Sequence, residues 1–135
     1  MEARYLLDTN AVIYILRERP EGFLKRFSKL EQGEATLSVI TYGELLYGAA
    51  KSDRKAATIV TLQELTQLMP VSTLPEEAAF LYGTIRAELE AKGKIIGNND
   101  LWIAAHAMAA DLTLVTNNEK EFRRVRGLRV ENWAH

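Results

Sequence analysis

The chain has 135 residues, 47% hydrophobic and 26% charged, and 17 Lys and Arg against 18 Asp and Glu leave a net charge of −1. This is the size and composition of a single domain over residues 1–135 with its own core, and the balanced charge excludes a global basic field, so any contact with RNA or DNA must use a local patch. The absence of cysteine excludes disulfides and thiolate metal sites and fits a reducing, cytoplasmic setting; no segment approaches the roughly 20 apolar residues of a membrane span, and the charged first residues do not read as a secretion signal.

Residues 4–7 (RYLL) run into Asp8-Thr9-Asn10, after which Val12, Ile15 and Leu16 recur at helical spacing before Pro20. The pattern predicts a strand, a tight turn and a helix. Phe23, Leu24, Phe27 and Leu30 continue a helical pattern that Gly33 stops, and the β-branched run ATLSVIT then predicts a second strand, followed by a helix from TYGELLYGAAKS. Ile59, Leu62, Leu65 and Leu68 mark another helix, cut off by Pro70 before a brief strand at VSTL. Ala78, Leu81, Tyr82, Ile85 and Leu89 form one apolar stripe, with Gly93 as its stop. KIIGNND leads into LWIAAHAMAAD, too continuously apolar for a surface helix; LTLVT reads as a buried parallel strand, TNNEKEFRRVRG as a short helix or turn, and LRVENW as a last strand. Alternating strands and helices without hairpin turns predict an α/β domain around a parallel sheet.

In such a sheet the useful crevice lies beyond the carboxyl ends of the strands. Four turns deliver polar groups there: Asp8 in LLDTN, Glu44 in VITYGE, Asp100 in IGNNDLW, and Thr116, Asn117, Asn118 and Glu119 after LTLV. Three converging carboxylates repel one another unless a cation lies among them, and an oxygen-only set without Cys suits Mg²⁺. Each acid also has a purely local explanation. Thr41-Tyr42-Gly43-Glu44 matches a T-x-x-E capping box, Asp100 suits the first turn of a helix capped by Asn98 or Asn99, and Asp8 suits a turn in which Thr9 or Asn10 is the cap. Topology favours the joint reading. His106, six positions after Asp100, falls on another helix face and reads as a packing or surface residue; no phosphate-binding glycine loop and no Ser-His-Asp arrangement stands out.

LLDTNAVI, SVITYGELLYGA, IRAELEAKGKIIGNNDLWIAAHA and LTLVTNNEKEFRRVRGLRVENW, in this order and nearly end to end, resemble the PIN-domain ribonucleases, specifically the VapC-type toxins of toxin-antitoxin modules. The resemblance implies a three-layer α/β/α fold with about five parallel strands. It also implies an endoribonuclease that uses Mg²⁺ or Mn²⁺ to hydrolyse RNA phosphodiesters, tRNA and ribosomal RNA being the family's substrates. By position, Asp8, Glu44 and Asp100 match the acidic residues, with Asp8 and Asp100 as metal ligands. The fourth acidic place departs from the pattern: Asn118 stands where an aspartate often stands, leaving Glu119 or Glu121 to supply charge. Thr9, Asn10 and Thr116 would be hydrogen-bonding supports.

Further implications are a homodimer and a VapB-type antitoxin that binds operator DNA and whose tail lies in a groove, the helices of residues 11–19 and 42–50 being its candidate walls. Basic groups at Lys25, Arg26 and Lys29, at Lys51, Arg54 and Lys55, or at Arg123, Arg124 and Arg126 are candidate grips for the RNA backbone. Arg86 can pair with a site carboxylate or with Glu90 at i+4. A haloacid-dehalogenase-type phosphatase would need a second aspartate where the chain has Asn10. A binding module of the same scaffold that has lost its chemistry is the alternative from another class, supported by Asn118.

Overall fold

The computed structural model describes residues 2–134. Five parallel strands, β1 (Tyr5–Leu7), β2 (Ala35–Ser38), β3 (Val71–Ser72), β4 (Thr113–Val115) and β5 (Val130–Glu131), lie in the order β3-β2-β1-β4-β5. Among the described residues seven helices connect them: α1 (Thr9–Arg17), α2 (Glu21–Ser28), α3 (Val39–Ala50), α4 (Lys55–Leu68), α5 (Glu77–Ala91), α6 (Asn98–Ala109) and α7 (Glu119–Phe122). The expected three-layer α/β/α architecture with five parallel strands is the observed one.

Because side chains alternate across a strand, consecutive residues feed opposite cores. Tyr5 and Leu7 of β1 join Leu37, Val115 and the buried faces of α1, α2 and α4 in one layer, while Leu6 and Leu114 join α5, α6 and Phe122 of α7 in the other. Trp133 seals the first layer after β5, with its ring edge-on to Tyr5 at 5.3 Å. That closure depends on Gly22, where a Cβ would stand 2.0 Å from the Trp133 carbonyl oxygen.

The sheet begins with β1 in its middle. Successive connections carry the chain outward through β2 to β3, and α5 and α6 then bring it back to β4 on the other side of β1. The boundary between β1 and β4 is therefore the switch point of the sheet, where an open α/β fold leaves a crevice. Leu7 pairs with Val115 there, so Asp8 and Thr116 emerge side by side. Among the described residues no helix is long and apolar enough to cross a membrane.

The second strand is shorter than the sequence pattern predicts. It ends at Ser38, and Val39, Ile40 and Thr41 already belong to α3, whose cap is Ser38: its Oγ accepts from the Ile40 amide at 3.1 Å. The expected capping box of Thr41 and Glu44 is therefore absent. Thr41 is buried within the helix, its hydroxyl without a hydrogen-bond partner among the described residues.

Candidate active site

Asp8 follows β1 and closes the first turn of α1, its Oδ1 accepting from the Ala11 amide at 2.8 Å. Asp8 is thus itself the cap, in place of Thr9 or Asn10. Its other oxygen, Oδ2, accepts from the Thr116 hydroxyl at 2.5 Å across the switch point. Thr116 Oγ1 in turn accepts from the Asn118 amide at 2.8 Å, which shapes the turn leaving β4. The acid is only 3% exposed.

Glu44 comes from the second turn of α3 and is fixed at both oxygens. Thr9 Oγ1 donates to Oε1 at 2.5 Å, and Asn99 Nδ2 donates to Oε2 at 3.3 Å. Asp100 is the third residue of α6, which starts directly after Gly97, so neither Asn98 nor Asn99 is its cap. Position in the first turn still favours a carboxylate through the helix dipole.

Burial pushes the Asp8 carboxyl up to about 6; the hydrogen bonds from Thr116 and Ala11 oppose the rise, and negative charge on Asp100 and Glu44 adds to it. Asp100 is also pushed up to about 6, first by burial and then by the charges of Glu44 and Glu121. Four carboxylates from α1, α3, α6 and α7 thus interact at one edge of the sheet.

This donor set suits a hard divalent cation. It offers oxygen alone, and the cost of burying mutually repelling carboxylates falls when a positive charge lies among them. Among the described residues no group of three acids or histidines stands close enough to form a ready-made cage. An open site of one or two carboxylates completed by water and substrate oxygens is how Mg²⁺ is commonly held.

The remaining predicted residues divide. Thr9 and Thr116 support the acids as described. Asn118 donates from Nδ2 to Glu121 Oε2 at 3.1 Å, so the asparagine orients a carboxylate, and Glu121 is the acid of this segment that faces Asp100. Glu119 pairs instead with Arg123 at 2.9 Å and accepts from Asn132 at 3.2 Å. Asn10 is exposed and makes no side-chain hydrogen bond among the described residues. Arg86 pairs with Glu90 at 3.2 Å, the i+4 alternative, and donates to the Tyr82 hydroxyl at 2.8 Å.

His106 is buried, and its Nδ1 is 2.8 Å from Ser38 Oγ. Burial lowers the imidazole pKa, which keeps the ring neutral in a packing role. This bond ties α6, which carries Asp100, to the cap of α3, which carries Glu44. The sequence reading missed it, along with the Asn99 bond to Glu44 and the bond from Tyr82 to Asn98. Tyr82 also stacks on Trp102, ring centres 3.8 Å apart at 11°. The Tyr82 position on the apolar stripe was the one available signal. The apolar residues of α1 and α3 mostly turn into the core, leaving Leu16, Val39 and Tyr47 as their exposed large ones.

A parallel sheet with acids gathered at its switch point is the arrangement of a PIN domain, and the model of that domain matches residues 5–128. Ribonuclease VapC2 of Haemophilus influenzae (strain Rd) is 46% identical over 132 residues, 97% of this chain and 98% of the relative. The tRNA(fMet)-specific endonuclease VapC of Shigella flexneri is 38% identical over 131 residues, 97% of this chain and 98% of that one. In a crystal structure of VapBC2 from Rickettsia felis, bound to a DNA fragment from their promoter, the matching chain is 40% identical. That match covers 98% of this chain and 99% of that one, with a TM-score of 0.88. The chain belongs to the PIN-domain family, among its VapC ribonucleases.

Proposed function

We propose that this protein is an endoribonuclease toxin that hydrolyses RNA phosphodiesters with Mg²⁺ or Mn²⁺, its substrate a tRNA or ribosomal RNA. The observation that carries the proposal is the meeting of Asp8, Glu44 and Asp100 at the switch point, with both aspartates pushed up to about 6. In this reading Asp8 and Asp100 would hold the cation and Glu44 would orient the attacking water, its carboxylate fixed by Thr9 and Asn99. A cation bound there supplies polarisation of the attacking water and neutralises charge on the phosphoryl oxygens. Thr116 holds Asp8 in place, and Asn118 keeps Glu121 turned toward the site. Asn118 therefore offers little support for a module without chemistry, because Glu121 restores the negative charge.

Residues 1–135 would act as one domain in the cytoplasm, as a homodimer. A VapB-type antitoxin would silence the toxin and connect it to operator DNA, an assembly supported by the relative in complex with promoter DNA. Expression without an antitoxin should arrest growth, and Asp100→Asn should relieve the arrest; sequencing RNA ends after a short pulse of expression should show one recurrent cut. Equal toxicity of the parent and Asp100→Asn would contradict the proposal.

A further inference from the structure

The outer stripe of α3 extends the acidic site into a different kind of surface. Val39, Gly43, Tyr47 and Lys51 follow one another at four-residue spacing, and all are exposed, Val39 at 42% and Tyr47 at 64%. Val39, Gly43 and Tyr47 line one shallow depression together with Glu44 and Asn99. Glu44 and Asn99 also line the neighbouring depression that contains Asp100. One wall therefore joins an apolar shelf to the carboxylates.

Three features of the shelf favour single-stranded nucleic acid as its occupant. The Tyr47 ring is open to solvent, and Gly43, one turn before it, meets nothing within 4 Å where a Cβ would stand, so a flat group can lie against the helix. Lys51 Nζ lies over the Tyr47 ring, 5.2 Å from its centre, a cation–π contact on a flexible side chain that a base stacking on that face would displace toward its phosphate. Beyond Lys51, Arg54 and Lys55 are exposed, and none of these three cations forms an ion pair among the described residues. By contrast, Arg26 and Arg123 are paired with Glu131 and Glu119. An aromatic face next to unpaired cations is the combination that seats a base and its phosphate.

We propose that Val39, Gly43 and Tyr47 form the seat of a nucleobase flanking the scissile phosphate, stacked on Tyr47, with Lys51 on an adjoining phosphate. The proposal rests on the nuclease reading of the neighbouring carboxylates, and binding separates the two. Fluorescence anisotropy of a labelled single-stranded RNA oligonucleotide in EDTA reads affinity without cleavage. Tyr47→Ala should weaken binding about tenfold and Tyr47→Phe by less than about twofold. Gly43→Leu, which adds bulk on the shelf without entering the core, should weaken it comparably to Tyr47→Ala. A probe of abasic nucleotides should erase the difference between the parent and Tyr47→Ala.

No binding by the parent, or equal affinity of the parent and Tyr47→Ala, overturns the seat. Equal affinity with a changed oligomeric state in light scattering assigns the shelf to a protein contact instead. A parent that binds through Tyr47 but never cuts RNA with Mg²⁺ leaves the seat standing and removes the nuclease reading; cleavage without any effect of Tyr47→Ala on affinity does the reverse.

Discussion

Asp8 serves the fold and the candidate site with different oxygens: Oδ1 caps α1 while Oδ2 is held by Thr116. An acid whose pKa is higher in the folded protein than in the unfolded chain binds its proton more tightly when folded. Its effect on stability is therefore nil below the unfolded value of 3.8, turns unfavourable as pH rises toward about 6, and stays so above it. For a group this buried the penalty at neutral pH is about 3 kcal/mol. Asp8→Asn keeps an acceptor for Ala11 and removes the charge. In metal-free protein it should raise Tm by several degrees at pH 7.5, with the gap closing toward pH 4, as followed by scanning fluorimetry. Mg²⁺ should raise the Tm of the parent and not of Asp8→Asn. A gap independent of pH would contradict this placement of the charge. Asp8 and Asp100 were legible in the sequence because one stands where a strand ends and the other in the first turn of a helix; for Glu44 the T-x-x-E pattern pointed to a helix start, whereas it lies in the second turn of α3. The partners of Glu44 and His106 were not legible, since Asn99 lies 55 residues from Glu44 and Ser38 lies 68 from His106, distances that only the fold closes.

At the scale of elements, the join between β2 and α3 shows where local pattern misleads. Val39, Ile40 and Thr41 are β-branched or apolar residues that suit a strand, yet they form the first turn of a helix. Ser38 decides the matter by capping that turn, and its contact with His106 holds the join against α6. Ser38→Ala should therefore lower stability in urea by about 1–3 kcal/mol, through loss of the cap and of the imidazole's partner. Thr41→Val, which removes a buried hydroxyl without a partner among the described residues and keeps the shape, should raise it by about 1 kcal/mol. The reverse order of the two variants would mean that Thr41, not Ser38, starts the helix. Elsewhere the stripes of α4 and α5 were readable at Leu62, Leu65, Ala78, Ile85 and Leu89, which are buried at helical spacing, whereas Leu68, the last member of the α4 stripe, is exposed in the final turn before Pro70; Gly93, at φ 66°, follows the end of α5 as expected.

At the scale of the molecule, alternation of strands and helices predicted a parallel sheet, but no local pattern states that β4 lies beside β1. That neighbour relation gathers groups from separate elements into one candidate site, because it lets Thr116 reach Asp8 and brings α7, with Glu121, opposite Asp100. In a chain of net charge −1, acids collect at the switch point while Lys51, Arg54 and Lys55, between the end of α3 and the start of α4, form no ion pair among the described residues. A metal-dependent nuclease site at the switch point is tested most directly by cleavage of purified RNA by the purified protein, quantified with Mg²⁺ or Mn²⁺, with excess EDTA, and for Asp8→Asn. Endonucleolytic cuts are expected with either metal, none in EDTA, and at least a hundredfold lower rate for Asp8→Asn, on the order of the loss when a key electrostatic group is removed. Cleavage that persists in EDTA, or an Asp8→Asn protein that cuts as fast as the parent, would contradict it.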